Sequence, residues 1–401
     1  MKRVVRRARR AGLVLVAPLL AGGALLAAAS GCTSGTWFGG AHAAADTIVV
    51  APLDGSRNVP LGRRIGVRVR AGRLTSVRVV RHQDARTVRV PGRVSADGLS
   101  WRPAGGRLAT DARYTVDAVA LDGHGRRSAR HVAFRTIVPA HHFTSEAIPV
   151  DGATVGTGMI VSLRFDHPIR NRAAVQRAIR VTAHPAVPIA PHWFGHDRLD
   201  FRPESYWRPG TRVSVRLRLR DVVAAPGVYG RRNRTIAFTV GRDQVSQVDV
   251  AAHTMEVRRG GQLVTILPIT AGASGTSTYN GKMVVSEMLD ETRMDGRTVG
   301  FDGEYDIPDV PHALRLTASG TFVHGNYWSD DVFGNDNVSH GCVGLRDVQG
   351  GDSETPAGWF FERSLIGDVI EVVHSDDREV APDNGLGGWN MSWRAWREGT
   401  A

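Results

Sequence analysis

A period of two constrains this chain more than any other feature. Through residues 47–242, valine and arginine alternate in short runs: RIGVRVRAG (64–72), TSVRVVRH (75–82), YTVDAVALD (114–122) and HVAFRTIV (131–138). Successive side chains of an extended strand point to opposite faces. Valine on one face and arginine on the other therefore describes strands with one buried and one wet side. Asp-Gly pairs at 54–55, 97–98 and 122–123, and Gly-Gly at 105–106, separate the runs with turn chemistry. No helical period competes here.

The pattern then recurs. VAPLDGSRNVPLGRRIGVRV (50–69) aligns with AIPVDGATVGTGMIVSLRF (147–165), and LSWRPAGGRLATDARYTVDAVALD (99–122) parallels LDFRPESYWRPGTRVSVRLRLRD (199–221). Copies about 100 residues apart, each all-strand, predict two tandem immunoglobulin-like β-sandwiches over 47–139 and 143–242. Neither contains a cysteine, so packing alone must hold them, with Trp101 and Phe201 as core aromatics. After 243 the glycine-rich loops lengthen and the histidine–cysteine chemistry gathers, which predicts a third, β-rich domain over 246–375. A tail over 376–401 follows, with Trp389, Trp393 and Trp396 spaced for one face of a short docking helix.

Of 401 residues, 51 are basic and 39 acidic, giving a net charge of +12. That charge suggests an anionic neighbour: nucleic acid, lipid head groups or a wall polymer. The N-terminus narrows the choice. MKRVVRRARRAG, an apolar run over 13–29 and the break Ser30-Gly31-Cys32 make a secretory signal. LLAAASGC (25–32) resembles a bacterial lipobox, which implies lipidation of Cys32. The competing cleavage point is AHAAA (41–45). Residues 1–31 are expected to be a lipoprotein signal peptide and 32–46 a tether, with the protein exported, membrane-anchored and facing the wall. Nucleic acid drops out as a partner. Removing residues 1–31 halves the charge to +6, which is expected to be spread over the exported part.

One segment carries chemistry: TFVHGNYWSDDVFGNDNVSHGCVGLRD (321–347), with His324, Ser339, His340 and Cys342. After export Cys342 is the sole cysteine of the folded part. A cysteine near histidines and glycines fits a nucleophilic thiol, whose proton a histidine takes or whose thiolate an imidazolium stabilises. Gly341 lets the backbone approach closely, so amides near 341–342 could form an oxyanion hole. An inert core thiol is the bland alternative. A zinc site of His324, His340 and Cys342 is another, although no second Cys-x-x-Cys or histidine pair supports it.

The segment resembles the catalytic motif of L,D-transpeptidases with the YkuD-type domain: His324-Gly325, then Trp328 and Phe333-Gly334, then Ser339-His340-Gly341-Cys342. The order of signal, tether, two sandwiches, catalytic domain and Trp-rich tail is similar to that of the actinobacterial members. The resemblance implies that Cys342 attacks the carbonyl of the L-centre at position 3 of a tetrapeptide stem and expels the terminal D-alanine. His324 would be the general base, oriented by a backbone carbonyl near Gly325, and His340, Gly341 and Cys342 would supply or shape the oxyanion hole. A diaminopimelate amine of a second stem would then take the acyl group, giving a 3→3 cross-link. Donor and acceptor stem peptides are the implied partners, carbapenems the implied inhibitors, and no metal or organic cofactor is implied.

The resemblance further implies substrate contacts from Ser319, Gly320, Tyr305, Trp328 and Ser339, and a methionine, Met294, on a flap over the site. Gly344 falls two residues past the cysteine, where relatives carry arginine or asparagine. Gly325 stands where mycobacterial relatives often carry serine. Two alternatives keep the enzyme and change the acceptor: an L,D-carboxypeptidase using water, or an enzyme anchoring protein lysines to the wall. A non-catalytic wall-binding lipoprotein has no need of a paired nucleophile and base.

Overall fold

The computed structural model describes residues 47–300 and 302–401 of the chain. The export segment, Cys32 and the whole of the expected tether lie outside the described residues.

Residues 47–139 fold into two facing four-stranded sheets. One runs in the order Ile48–Ala51, Gly66–Val69, Ser100–Pro103, Gly92–Val94. The other runs Arg86–Arg89, Arg73–Gln83, Arg113–Leu121, Arg127–Arg135. The alternation dictates the packing: in Arg113–Leu121, Tyr114, Val116, Ala118 and Ala120 are buried while their neighbours face outward. Val67, Trp101, Tyr114, Val116 and Phe134 meet in one core. Burying such side chains stabilises by roughly 1.5–3 kcal/mol each. The buried Tyr114 hydroxyl accepts from the Ala109 amide at 2.9 Å, so its polar end is satisfied.

The second sandwich repeats the plan. Ser145–Ile148, Val161–Phe165, Arg198–Pro203 and Ile189–Phe194 form one sheet. Thr154–Val155, Asn233–Val240, Arg212–Arg218 and Ile179–His184 form the other. A short helix, Arg172–Arg177, is capped by the Asn171 side chain. Leu163, Trp193, Leu199, Phe201, Val215 and Phe238 fill the core.

The C-terminal part is built on one nine-stranded sheet. Its order is Gly281–Val284, Val369–Val373, Gln244–Asp249, Thr254–Arg259, Gln262–Thr270, Val343–Arg346, Phe322–Asn326, Asp306–Arg315, Glu287–Asp295. The decisive pairing is parallel, Phe322–Asn326 beside Val343–Arg346, with His324 opposite Gly344. It brings the two halves of the His…Cys segment side by side. The second sandwich docks tightly on this sheet. A Cβ on Gly156 would lie 2.4 Å from the Asp368 amide, and Arg242 pairs with Asp368 at 2.9 Å.

The tail departs from the single-helix expectation. Trp389 sits in a 3-10 turn, Gly387–Asn390, and only Trp393 and Trp396 lie on the helix Trp393–Glu398. Ser392 ends the turn and caps the helix by accepting from the Ala395 amide, which sets its start. The tail packs largely on the second sandwich. Trp396 is fully buried in that core and donates to the Ala190 carbonyl at 3.0 Å. Arg202, 1% exposed, lies over the rings of Trp389, Trp393 and Trp396 at 4.6, 5.4 and 4.6 Å. It also donates to the Met391 carbonyl at 2.8 Å.

Candidate active site

Two strand ends and three loops build the site. The parallel register sets Val323 beside Val343, so Cys342, just before its strand, falls next to Phe322. His324 and Cys342 line one cavity of about 320 Å³, together with Met294, Tyr305, Trp328, Ser339 and His340. A second concavity of about 460 Å³ holds Ser319, Gly320 and Gly341 and shares Tyr305 and His340 with the first. The Tyr305 and His340 rings meet at 4.9 Å between centroids and form the partition.

His324 is buried, and its Nδ1 donates to the Gly325 carbonyl at 2.8 Å. With that proton placed on Nδ1, Nε2 is left as the basic nitrogen. The Trp328 ring stacks on the imidazole at 5.6 Å, 15° from parallel, while 42% of Trp328 stays exposed. Burial pulls His324 below the ordinary imidazole value, partly opposed by the Gly325 carbonyl and by the charge of Asp347. Cys342 is only half-buried at its surface, but the atoms packed around its sulfur push the thiol up to about 11, against the Phe322 amide and Arg315. Both shifts favour a neutral thiol and a neutral imidazole, and the Sγ contacts the Gly320 carbonyl at 3.5 Å. Such a pair can pass a proton within itself when a carbonyl carbon arrives.

Glycine is required at two of these positions. Gly320 (φ +99°) and Gly341 (φ +101°) lie in the left-handed region, and a Cβ on Gly320 would be 2.4 Å from Val299 Cγ1. The Ser339 hydroxyl accepts from the Gly341 amide at 3.2 Å and donates to the Cys342 carbonyl at 2.6 Å. Ser339 therefore shapes the cysteine loop even though it lines the cavity. It also occupies the Gly341 amide and leaves the Cys342 amide as the remaining donor of that pair. The Ser319 hydroxyl accepts from Asn384 at 2.8 Å, so the tail holds it in place. Met294 belongs to the strand Glu287–Asp295, opposite Ile307, and reaches the cavity wall from there. Gly344 is the exception to the expected set. It is buried inside its strand, lines neither cavity, and would place a Cβ 2.9 Å from Thr270 Cγ2, so it offers no surface to a substrate.

Several residues escaped the sequence reading. His340 Nε2 sits 3.0 Å from Glu304. Asn326 lines the cavity and accepts from the amides of Trp328 and Ser329, fixing the loop after His324. Asp347 is a fully buried carboxylate paired with His312 Nδ1 at 2.7 Å. It also accepts from the amides of Val348 and Asp352 and from the Thr355 hydroxyl. A Cβ on Gly325 would lie 2.2 Å from its Oδ2. The only advance sign was an aspartate directly after the short strand VGLR.

A cysteine and a histidine sharing one cavity at the edge of a parallel strand pair fit cysteine-based acyl-transfer chemistry. The comparisons agree with that class. The family model for the L,D-transpeptidase catalytic domain matches residues 243–372, and that for a bacterial Ig domain matches 56–223. L,D-transpeptidase 2 of Mycobacterium tuberculosis (strain CDC 1551 / Oshkosh) is 33% identical over 359 residues, covering 88% of this chain and 85% of the relative. L,D-transpeptidase 5 of Mycobacterium tuberculosis (strain ATCC 25618 / H37Rv) is 26% identical, covering 90% and 75%. A solved L,D-transpeptidase in complex with imipenem is 30% identical, with a TM-score of 0.48 over 59% of this chain and 100% of that one. This chain belongs to the L,D-transpeptidase family.

Proposed function

We propose that the protein is a wall-facing L,D-transpeptidase that forms 3→3 cross-links through a thioester on Cys342. The observation that carries the reading is the shared cavity of Cys342 and His324, with the imidazole held by the Gly325 carbonyl so that Nε2 is free to act as base. The Cys342 thiol gives its proton to His324 as sulfur attacks the carbonyl carbon at position 3 of a donor stem. The C–N bond to D-alanine breaks, and the imidazolium returns the proton to the departing amine. The side-chain amine of an acceptor stem then attacks the thioester, His324 takes its proton, and the thiol is restored. The Cys342 amide faces the developing oxyanion, while Ser339 and His340 hold the loop.

The two concavities meeting at Tyr305 and His340 support a two-substrate reaction, with room for a stem on each side of the thiol. Solved relatives carry imipenem and a faropenem-derived adduct, and we extend carbapenem reactivity at Cys342 to this chain. Export, lipidation of Cys32, the domain limits 47–139, 143–242 and 246–375 and the roles of the site residues belong to the same proposal.

Incubation of the purified chain with a carbapenem should add one inhibitor mass, and Cys342→Ala should abolish it. Absence of any adduct under native conditions would overturn the acyl-enzyme. With a disaccharide-tetrapeptide, a cross-linked dimer supports the transpeptidase. Tripeptide alone would instead make water the acceptor and the enzyme a carboxypeptidase.

A further inference from the structure

The net charge of the chain conceals a segregation. Residues 47–139 hold 18 arginines against six aspartates, with no lysine and no glutamate. Residues 143–242 hold 16 arginines against seven acids, whereas residues 243–401 hold 11 basic and 25 acidic residues. The remaining charge is spread unevenly over the exported part, and the arginines on the sandwiches carry it. A compositional preference for arginine over lysine would act along the whole chain and does not account for an acidic C-terminal part. The positive charge belongs to the sandwiches.

Within the first sandwich it is organised. The outer face of the sheet containing Ile48–Ala51, Gly66–Val69, Ser100–Pro103 and Gly92–Val94 carries a groove of about 720 Å³. Arg64, Arg68 and Arg102 line it, beside Val49 and the Gly105-Gly106 loop, and no carboxylate lines it. Arg68 faces Ser100 across the sheet, and Arg102 directly faces Arg93 on the next strand. Among the described residues none of Arg64, Arg68, Arg93 and Arg102 has a carboxylate partner. Like charges directly opposite one another weaken a strand pair, so the arrangement works against the fold's own stability. Neighbours of this kind lie about 5–8 Å apart, which spreads the cations along a line.

We infer that this groove is a binding site for a linear acidic polysaccharide. The chemistry is charge complementarity: guanidinium groups donate paired hydrogen bonds to carboxylates, and the stretch around Val49 offers apolar surface to sugar rings. The shape favours an extended chain. An open channel across a sheet admits a polymer along its length, whereas a bilayer surface is better met by cations on a protruding rim. The acidic C-terminal part would be repelled by the same polymer.

The test uses the purified chain with polygalacturonate, neutral dextran and phosphatidylglycerol vesicles, at about 0.05 M and 0.5 M salt, where screening lengths differ several-fold. Polygalacturonate should bind and dextran should not, with weaker binding at high salt. Replacing Arg64, Arg68 and Arg102 by serine should weaken binding about tenfold or more, from three exposed charge contacts. Replacing Arg86, Arg89 and Arg127, exposed on the opposite sheet, should change it less than about threefold. Thermal unfolding confirms that both triple variants are folded. Equal losses from the two triples would reduce the effect to bulk charge and overturn the site. So would binding to vesicles alone, or low-salt self-association without polymer binding.

Discussion

The protonation state of the resting thiol is the most exposed consequence of the site's geometry. Burial holds Cys342 at about 11 and holds His324 below the ordinary imidazole value. An unperturbed cysteine near 8.5 is about a tenth thiolate at pH 7.5, whereas a thiol at 11 is about 0.03% thiolate, roughly 300-fold less. A more basic thiolate is intrinsically more nucleophilic. With a Brønsted coefficient of 0.4–0.5, that recovers about tenfold. Iodoacetamide, which uses only thiolate and has no carbonyl for His324 to work against, should therefore alkylate Cys342 about 30-fold more slowly than free cysteine at pH 7.5.

The pH profiles separate the two possible resting states. For the neutral pair, the logarithm of the alkylation rate rises with unit slope from pH 7 through 9 and shows no inflection there. Carbapenem acylation uses neutral His324 as base, so it should stay flat over the same range and fall only below the lowered imidazole value. His324→Ala should cost acylation about 10²–10⁴-fold and should introduce a pH slope. An alkylation profile that levels off below pH 8, at a rate above that of free cysteine, would mean a preformed thiolate–imidazolium pair. That result would refute the argument from burial.

Three further outcomes follow from contacts around the site and under the tail. Gly325→Ser should be destabilised by about 1–3 kcal/mol in thermal unfolding, because its Cβ would lie 2.2 Å from Asp347 Oδ2; an unchanged midpoint would show that the carboxylate can move aside. Asp347→Asn removes a charge that favours the His324 imidazolium, so the low-pH limb of carbapenem acylation should move to lower pH and the plateau should drop. An unchanged profile would confine Asp347 to holding its turn. Arg202→Met removes the cation beneath three tryptophans and the bond to Met391, and should cost about 1–3 kcal/mol and open the tail to limited proteolysis after Gly385.

What the sequence shows and what it hides divide along a physical line. Strand alternation, the turn glycines and the Ser339–Cys342 run are local, because each records a backbone or chemical requirement in neighbouring residues. The immunoglobulin-like plan and the cysteine–histidine pairing are legible for that reason. The tail was half legible: the tryptophan spacing suggested one helix, but Ser392 is a capping residue and starts the helix after Trp389. The partner of the tail was not visible, because Arg202 and Ala190 lie far back in the chain. A single net charge likewise averaged away the contrast between basic sandwiches and an acidic C-terminal part.

Gly325 shows the limit most sharply. Read along the chain, it is a glycine where the family resemblance leads one to expect a serine. In the fold, the parallel register sets Gly325 opposite Leu345, and the Asp347 amide donates to the Asn326 carbonyl at 3.1 Å. The Asp347 carboxylate therefore occupies the space that a side chain at 325 would need. The glycine and the buried acid are two ends of one contact. A negative charge stands behind the imidazole, held by His312, two amides and Thr355. Orientation of His324 is left to the Gly325 carbonyl, and support for its charged form passes to Asp347. A carboxylate acts through space on whichever nitrogen carries the proton, whereas a hydroxyl must be aimed.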